Sequence, residues 1–365
     1  MAKLLKDLYS KEYINSLANL LQNNYQDFDK TNFVLAVFDD SWNTLELKQR
    51  MRHITICIHK YLLLNYKQSI EILKLTYTQI KYKKDKSEAL QNIIFSDFVE
   101  LYGIDDFKTS FNALEHFTIH STAEFAIRAF ILKDQNKTMN QMKLWANSKN
   151  EDIRRLASEG CRPRLPWSYF LKDFIKSPKK VLEILELLQD DTSMYVKKSV
   201  ANNLNDISKD HKDVVISLAK KWYGQDSHKN WIIKHATRTL LKEGNIEVLK
   251  IFGYIPKQSI KIINFKINNN IKIGNDLNIS FNIKDNSILG LLRIEYSIDF
   301  VRLNNKSNNK VFFITQKEFM NNIHTIIKKH SFKKINTRKY YEGKHTINII
   351  INGIIVHKKE FNLIG

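Results

Sequence analysis

The spacing of apolar residues changes once along the chain, and this change constrains the fold more than any other feature. Across residues 7–254, apolar residues recur at the three-to-four-residue spacing of amphipathic helices. After Pro256 the spacing changes to the alternation of β-branched residues that is typical of strands. We therefore predict an α+β multidomain chain, with an all-α domain at residues 1–255 and a small all-β sandwich at residues 256–365.

Within the β part, one hairpin can be placed by its turn. Asn352-Gly353 lies between two isoleucine-rich runs, and Asn-Gly readily adopts the positive φ values of a type I′ turn. Five segments alternate strongly enough to be predicted as β structure, and the last contains this turn: Ile260–Ile267, Leu277–Ile283, Ile294–Val301, Val311–Thr315 and His345–Val356.

The helical part contains a degenerate internal repeat. Four segments each place small or apolar residues at positions i, i+3, i+4 and i+7, which form one face of a helix. Their starts are 30, 43 and 37 residues apart, close to the period of about 40 residues of HEAT-type helix pairs. We therefore expect a HEAT-like repeat solenoid with a concave face. The segments begin at Ala123, Ile153, Val196 and Ile233, after capping residues at Ser121, Asn150, Thr192-Ser193 and Asp226-Ser227.

The side chains predicted to project away from these repeat cores form a basic and polar ridge. Lys197 and Lys198, and likewise Lys234 and His235, are assigned to first helical turns, where the macrodipole disfavours cations. Contact with phosphate would explain cations in that position, although an ordinary solvated face is an equal alternative. The ridge consists of Arg155, Glu159 and Arg162, then Lys198, Asn202 and Asn205, then His235 and Thr239.

The net charge points to a polyanionic partner. Lys and Arg exceed Asp and Glu by 20 in the whole chain, and the part after Pro256 alone carries +12. An excess of this size favours nucleic acid as the partner, and the β part could be a second DNA-contacting module. The alternative is compositional drift, because Lys, Asn and Ile are abundant throughout, as in a chain encoded by an AT-rich genome.

Several classes of protein are disfavoured. Residues 1–13 interleave charges with leucines, unlike a signal peptide, and no apolar run reaches the roughly eighteen residues of a membrane span. Cys57 and Cys161 are too few for a disulfide framework or a structural zinc site. We expect a cytoplasmic, soluble monomer that needs neither a metal nor another cofactor and has no membrane partner.

The most specific segment is Leu156–Trp167, which contains two of the four prolines of the chain. Pro163 should end one helix and Pro166 should lie in the first turn of the next. The resulting rigid loop would display Arg162, Arg164 and Trp167 beside Glu159: cations for phosphate, an aromatic plane for a base and a carboxylate for a positive centre. The alternatives are a core position for Trp167 and, for Glu159, a surface salt bridge with an arginine of the same helix.

Long runs of this sequence resemble the AlkC family of DNA alkylation repair glycosylases. The β part, with Tyr296–Val301, Tyr341–His345 and Asn352-Gly353, looks like the immunoglobulin-like domain that one branch of the family carries. The runs that carry the resemblance in the helical part are Leu45–Ile54, Leu156–Trp167, Tyr195–Ser208 and Trp231–Leu241.

The resemblance implies an enzyme of base excision repair in bacteria that acts on nucleoid-associated DNA. Its substrates would be cationic bases such as 3-methyladenine, and 3-methylcytosine is a second candidate. The family is thought to work without flipping the damaged nucleotide into a closed pocket. Its active-site carboxylates map onto Glu124, Glu159 and Asp206, and its lesion-adjacent tryptophan onto Trp167. The further residues that we assign to binding double-stranded DNA are Arg155, Arg162, Arg164, Lys197, Lys198, Asn202, Lys234, His235 and Arg238.

Structural alternatives exist for two of these carboxylates. Ser121-Thr-Ala-Glu124 is also a capping box, in which Glu124 would bond back to the start of its helix. Asp206 could simply end its helix together with Ser208. Two other functions also stay open: a non-catalytic scaffold that grips damaged duplex, and a protein-interaction solenoid without nucleic acid.

Overall fold

The computed structural model describes residues 4–80, 89–302, 307–334 and 339–365. Helices fill the first part of the chain and strands fill the last part, as predicted. Short 3-10 helices lie at Leu5–Leu8, Trp42–Thr44 and Leu90–Asn92. The α-helices within the described residues are α1 (Lys11–Asn24), α2 (Lys30–Val37), α3 (Leu47–Leu62), α4 (Tyr66–Gln79), α5 (Ile93–Tyr102), α6 (Phe107–Thr118), α7 (Ile127–Lys133), α8 (Gln135–Ala146), α9 (Glu151–Gly160), α10 (Lys172–Lys176), α11 (Lys179–Leu187), α12 (Met194–Ile207), α13 (Lys212–Trp222), α14 (Ser227–Ala236), α15 (Arg238–Lys242) and α16 (Ile246–Ile251).

Three of the four predicted helix starts are confirmed by their caps. The side chains of Asn150 and Ser193 accept hydrogen bonds from backbone amides two residues further on, and Asp226 accepts from two amides. The prediction at Ser121 is wrong. Its hydroxyl instead donates to the Ala89 carbonyl, and α7 begins only at Ile127. A cap residue whose side chain is used elsewhere cannot satisfy the helix end.

The predicted repeat cores are buried in all four segments. Helix α9 packs between α8 and α12, and α12 also packs against α14, so consecutive repeats share one hydrophobic core. Two polar members of these cores donate hydrogen bonds: the Asn203 amide to the Ser158 carbonyl at 2.8 Å, and the Ser199 hydroxyl to the Glu159 carboxylate at 2.6 Å. The buried sets are Ala123/Ala126/Ile127/Phe130, Ile153/Leu156/Ala157/Gly160, Val196/Ser199/Val200/Asn203 and Ile233/Ala236/Thr237/Leu240.

Two compact units make up the chain, and we describe each by itself. The first contains the candidate site, and the second contains every strand that the structure describes. Within the described residues, no helix is long and apolar enough to cross a membrane. Nor does that part of the chain hold any group of three or more His, Cys, Asp or Glu side chains arranged for a metal ion. The units are Met1–His211 with Gly224–Ala236, and Lys212–Tyr223 with Thr237–Gly365.

The strands of the second unit form two sheets with an apolar core between them. The strands within the described residues are β1 (Lys261–Ile267), β2 (Asn270–Lys272), β3 (Asp276–Lys284), β4 (Gly290–Val301), β5 (Ser307–Phe319), β6 (Ile323–Ser331), β7 (Gly343–Ile351) and β8 (Ile354–Ile364). One sheet has the order β1-β3-β6 and the other β2-β8-β7-β4-β5, with β2 parallel to β8 and the other pairs antiparallel. All five predicted segments form strands, the last of them parts of both β7 and β8, whereas β2 and β6 were not predicted.

The predicted hairpin turn is confirmed, and its asparagine does more than turn the chain. Asn352 and Gly353 have φ values of 46° and 81°, as a type I′ turn requires. The Asn352 side chain is fully buried, accepts from the Arg293 amide at 2.7 Å and donates to the Ile255 carbonyl at 2.8 Å. This residue therefore ties the β7–β8 turn to β4 and to the segment that precedes β1.

Candidate active site

The three carboxylates predicted for catalysis lie in one alternating chain of ion pairs. Arg155 contacts Glu124 through one guanidinium nitrogen and lies 3.6 Å from Glu159 Oε1 through the other. Arg162 donates from Nη1 to Glu159 Oε1 at 2.7 Å and from Nε to Asp206 Oδ2 at 2.9 Å. The two arginines therefore join carboxylates that are far apart in the sequence.

Helical spacing explains half of this arrangement. Arg155 and Glu159 are four residues apart in α9 and share one side of it, and Arg162 follows Glu159 by three residues, just after the helix ends at Gly160. Asp206 comes from the last turn of α12, and Glu124 from the turn that precedes α7. Three neighbouring segments of the first unit thus meet at the two arginines.

Glu159 and Asp206 each have a further hydrogen-bond donor. Ser199 donates to Glu159 Oε2 at 2.6 Å and itself lies 2.6 Å from the Ser158 hydroxyl. Lys209 donates to Asp206 Oδ1 at 3.0 Å, three residues after it. The two sites differ in access, because the Lys209 side chain is 43% exposed whereas Ser199 is 2% exposed.

The charge of Glu159 is maintained by its neighbours. Burial alone would raise the pKa of this carboxyl group, but the guanidinium groups of Arg155 and Arg162 and the Ser199 hydroxyl together hold its pKa below the ordinary value. Burial would lower the pKa of Arg162, but the carboxylates of Glu159 and Asp206 raise it above the ordinary value. Glu159 is therefore an anion at neutral pH.

The predicted open ridge is wrong in this region. Glu159, Arg162 and Asp206 are 6%, 7% and 2% exposed, and Asn205 is also buried. The salt bridges of Glu159 with Arg155 and Arg162 that we considered as an alternative do form, yet they are buried rather than on the surface. Removing one partner of a buried ion pair strongly destabilises the folded protein, whereas removing one partner of a surface pair has little effect.

Glu124 does not form the capping box that we considered as an alternative. Its carboxylate accepts from the Thr122 hydroxyl at 2.8 Å, and Thr122 in turn accepts from Arg155 at 2.8 Å. The backbone amide of Glu124 donates to the same hydroxyl at 3.2 Å. Glu124 is thus bound to the ion-pair chain and not to the end of α7.

Trp167 lies on an exposed loop, not in the core. The loop runs from Cys161 to Leu171, so the prediction that Pro166 opens a helix is wrong; α10 begins only at Lys172. Trp167 is 58% exposed and has φ = 62°, a left-handed conformation that is unusual for a bulky residue. Lys48 donates to its carbonyl at 2.9 Å. Beside the ring is a cleft of about 590 Å³ lined by Leu4, Leu5, Lys6, Glu46, Leu47, Lys48 and Trp167.

Arg164 forms its ion pair with Asp210, which is not one of the three predicted carboxylates. Its guanidinium forms two hydrogen bonds with Asp210, at 2.9 and 3.1 Å, and lies over the Phe170 ring at 5.2 Å. The Arg164 side chain is 26% exposed. It remains available at the surface but has a bidentate partner within the chain.

The predicted phosphate-binding residues of α12 differ in exposure. Lys198 is exposed and Asn202 is half-buried. Lys197 is only 6% exposed, and its ammonium lies 3.1 Å from His228 Nδ1, so it does not lie on an exposed face, and its assignment to DNA binding stays a prediction. Neighbouring residues of a helix point about 100° apart, which explains why the two lysines differ.

The dipole argument for Lys234 and His235 is also wrong. Helix α14 begins at Ser227, so both residues lie in its last turn, where cations are favoured and need no phosphate to explain them. Lys234 is exposed, and the His235 ring stacks on Trp231 with centroids 5.1 Å apart. Arg238 is the first residue of α15 and belongs to the second unit.

Several residues around this site were not predicted from the sequence. Lys209 could have been found, because it follows Asp206 at helical spacing. Tyr195, Lys48 and Arg128 could not have been found. The Tyr195 ring lies 5.0 Å from the Arg155 guanidinium. Their contacts join distant segments, and no local pattern indicates them.

Comparison with known proteins agrees with this architecture. A family model described as DNA alkylation repair enzyme matches residues 103–240, and one described as the C-terminal Ig-like domain of the uncharacterised protein YhaZ matches residues 261–365. The uncharacterized protein YhaZ of Bacillus subtilis (strain 168) is 42% identical over 364 residues, which cover 98% of this chain and 99% of the relative.

A solved structure matches the whole chain. It is the Pseudomonas fluorescens alkylpurine DNA glycosylase AlkC bound to DNA containing an abasic site analog, with a TM-score of 0.94 and 33% sequence identity over 100% of both chains. The helical part and the strand-rich part thus both have their counterparts in that protein. The chain belongs to the AlkC family of DNA alkylation repair glycosylases, in the branch with a C-terminal immunoglobulin-like domain.

Proposed function

We propose that this protein is a DNA-3-methyladenine glycosylase that acts as a monomer on double-stranded DNA. It hydrolyses the N-glycosidic bond of cationic alkylated bases, 3-methyladenine and 3-methylcytosine, without turning the nucleotide into a closed pocket. The observation that carries the proposal is the buried ion-pair chain that collects Glu124, Glu159 and Asp206 in one place. The full-length likeness to a glycosylase bound to an abasic-site analog supports it.

The reaction needs little acid catalysis but a well-placed anion. When the bond between C1′ and the base nitrogen breaks, its electron pair moves to the base and neutralises the positive charge that alkylation placed there. The sugar becomes an oxocarbenium-like cation, water adds to C1′, and a carboxylate takes the proton of that water. The products are a neutral free base and an abasic site.

Asp206 is better placed than Glu159 to accept the proton. Its Oδ1 is bound by Lys209, a half-exposed side chain that an arriving sugar and water can displace. Both oxygens of Glu159 are held by enclosed partners. We therefore assign proton acceptance to Asp206, and to Glu159 the fixed negative potential and the placement of Arg162.

The charge balance of the site supports this division. Glu124, Glu159 and Asp206 are matched by Arg155, Arg162 and Lys209, so the resting network is close to neutral. Displacing Lys209 leaves one uncompensated negative charge next to the developing cation. The stabilisation then comes from carboxylates already fixed in position, which avoids reorganisation during the reaction.

The side chains proposed to contact DNA differ in how exposed they are. Lys198 and Lys234 are exposed and suit phosphate groups, whereas Arg164, Asn202, His235 and, in the second unit, Arg238 are partly exposed. The exposed Trp167 ring suits the face of a cationic base, an attraction of about 0.5–2 kcal/mol. Arg155 and Arg162 serve mainly to hold the carboxylates.

The direct test is release of free base from methylated duplex DNA under single-turnover conditions. We expect the unmodified protein to release 3-methyladenine, and Asp206→Asn and Glu159→Gln to bind the duplex but release it far more slowly. Asp191→Asn is the matched control, because Asp191 is another buried carboxylate with an arginine partner, Arg154, at 2.6 Å. A protein that binds the duplex and releases no base would instead be a DNA-binding scaffold.

A further inference from the structure

Arg128 joins the two ends of the loop that carries Trp167. It is the second residue of α7, and its side chain is fully buried. Its Nη1 donates to the carbonyls of Gly160 at 3.0 Å and Arg162 at 2.7 Å, at the start of the loop. Its Nη2 donates to the Tyr169 carbonyl at 2.5 Å, near the end of the loop.

These partners are unusual for a buried cation. The hydrogen bonds go to backbone carbonyls, and the guanidinium lies 5.4 Å from the Tyr169 ring. Burial lowers the pKa of Arg128 to about 10, so the group is still charged at neutral pH. A buried charge is costly unless it is well hydrogen-bonded. The two terminal nitrogens of Arg128 meet this condition because they reach carbonyls at both ends of one loop, whereas its Nε has no hydrogen-bond partner among the described residues.

The held loop has a conformation that needs support. Trp167 has a positive φ, and a strained backbone of this kind persists only when its surroundings enforce it. Lys48 provides one support from α3 by donating to the Trp167 carbonyl. Leu171 provides another, because its amide donates to the Pro163 carbonyl at 3.1 Å. Arg128 is the support that links Arg162, a member of the ion-pair chain, with the segment just after Trp167.

We propose that Arg128 is a positioning residue for base excision, acting through the loop and Trp167 without touching the DNA. It keeps the backbone of Arg162 and the ring of Trp167 in a fixed relation, so that the carboxylates and the aromatic face meet the same nucleotide. A lysine has one ammonium group in place of the guanidinium and cannot reach all three carbonyls in this geometry. This proposal rests on the proposed function.

Fluorine NMR of protein labelled with 5-fluorotryptophan tests, without an enzyme assay, whether Arg128 holds the Trp167 ring in place. The Trp167 resonance is identified with Trp167→Phe. We expect Arg128→Met to shift or broaden this resonance while those of the other four tryptophans stay in place, with Arg128→Lys in between. Arg154→Met is the control, since Arg154 also donates to two carbonyls, those of Ser148 and Lys149, but does not contact the loop.

Single-turnover excision of 3-methyladenine tests whether Arg128 contributes to the excision rate through Trp167. We expect the rate to fall by roughly 10²-fold in Arg128→Met, the size of effect that follows a small misplacement of reacting groups. The dissociation constant for the duplex should change by less than about threefold, because phosphate contacts, not this buried residue, dominate affinity. In a Trp167→Ala background the same substitution should have almost no further effect on the rate, because residues that act through one another are not additive.

The outcomes separate this proposal from the proposed function. An unchanged Trp167 resonance in a folded Arg128→Met protein would overturn the positioning role. So would full additivity with Trp167→Ala. If Arg128→Met does not fold, Arg128→Lys decides by the same two measurements. A wild-type protein that releases no base would refute the proposed function, while the NMR result would still show whether Arg128 holds the loop.

Discussion

Glu159→Gln is the substitution that tests the candidate site most severely. It keeps the shape of the side chain and removes the negative charge that faces Arg162 at 2.7 Å and Arg155 at 3.6 Å. The Ser199 hydroxyl, which now donates to Oε2, would face either an amide oxygen or an amide nitrogen. Stability and catalysis should both respond, to different extents.

The loss of stability can be bounded from the contacts. Removing one partner of an isolated buried ion pair costs about 3–5 kcal/mol. Here Arg162 keeps Asp206 and Arg155 keeps Glu124, and the glutamine oxygen can still accept one hydrogen bond. We therefore expect the free energy of unfolding to fall by about 1.5–3 kcal/mol, the value of a hydrogen bond to a charged group. The excision rate should fall by roughly 10²–10³-fold.

The effect on stability should depend on pH in a defined direction. The pKa of Glu159 in the folded protein lies below its ordinary value, because Arg155 and Arg162 outweigh burial. Its contribution to stability is therefore present above the unfolded pKa of about 4.3 and is lost as the pH falls through the folded pKa. The difference in unfolding free energy between wild type and Glu159→Gln should be constant near neutral pH and narrow below about pH 4.

Urea denaturation from neutral to acidic pH measures the loss of unfolding free energy. Single-turnover release of 3-methyladenine measures the loss of excision rate. Asp191→Asn should lose stability to a similar extent, because Asp191 is 5% exposed in its pair with Arg154, but should excise like the wild type. Excision by Glu159→Gln at the wild-type rate would remove Glu159 from the mechanism. An unchanged unfolding free energy would refute the energetic reasoning about the buried network.

Three further predictions concern the range of bases excised, DNA binding by the second unit and the stability of its β7–β8 hairpin. Excision should be confined to cationic bases, with negligible release of hypoxanthine or uracil from otherwise identical duplexes, since we assign no group to protonate a leaving base; comparable release of hypoxanthine would contradict the charge-matching mechanism. Lys272, Lys329 and Lys333 line a polar cleft of about 440 Å³ in the second unit. Changing all three to Gln should reduce the slope of log affinity against log salt by up to about 2.7 if each contacts a phosphate, and an unchanged slope would exclude this face. Asn352→Ala should lower the free energy of unfolding by about 2–4 kcal/mol in urea denaturation, because it removes buried hydrogen bonds and leaves alanine at a positive φ; Asn352→Gly should lose less, because glycine accepts this φ.

The spacing of apolar residues predicted most helices and strands of this fold. The spacing of two residues in strands and of three to four in helices follows from backbone geometry alone, so the change after Pro256 located the β part correctly. Turn chemistry is equally local, which is why the Asn352-Gly353 turn could be placed. The helix start at Ser121 was wrong because a capping hydroxyl can bond elsewhere, here to the distant Ala89 carbonyl.

The sequence by itself therefore determined the change from helices to strands, the buried face of each repeat and the positions of Arg155 and Glu159 on one side of α9. Only the tertiary structure decided that Arg162 binds Asp206, a partner 44 residues away, and that Lys197 is buried. The physical reason is that helical spacing sets the direction in which a side chain leaves its own helix. How deeply it is enclosed, and which charges it meets there, depend on the neighbouring helices that pack over it.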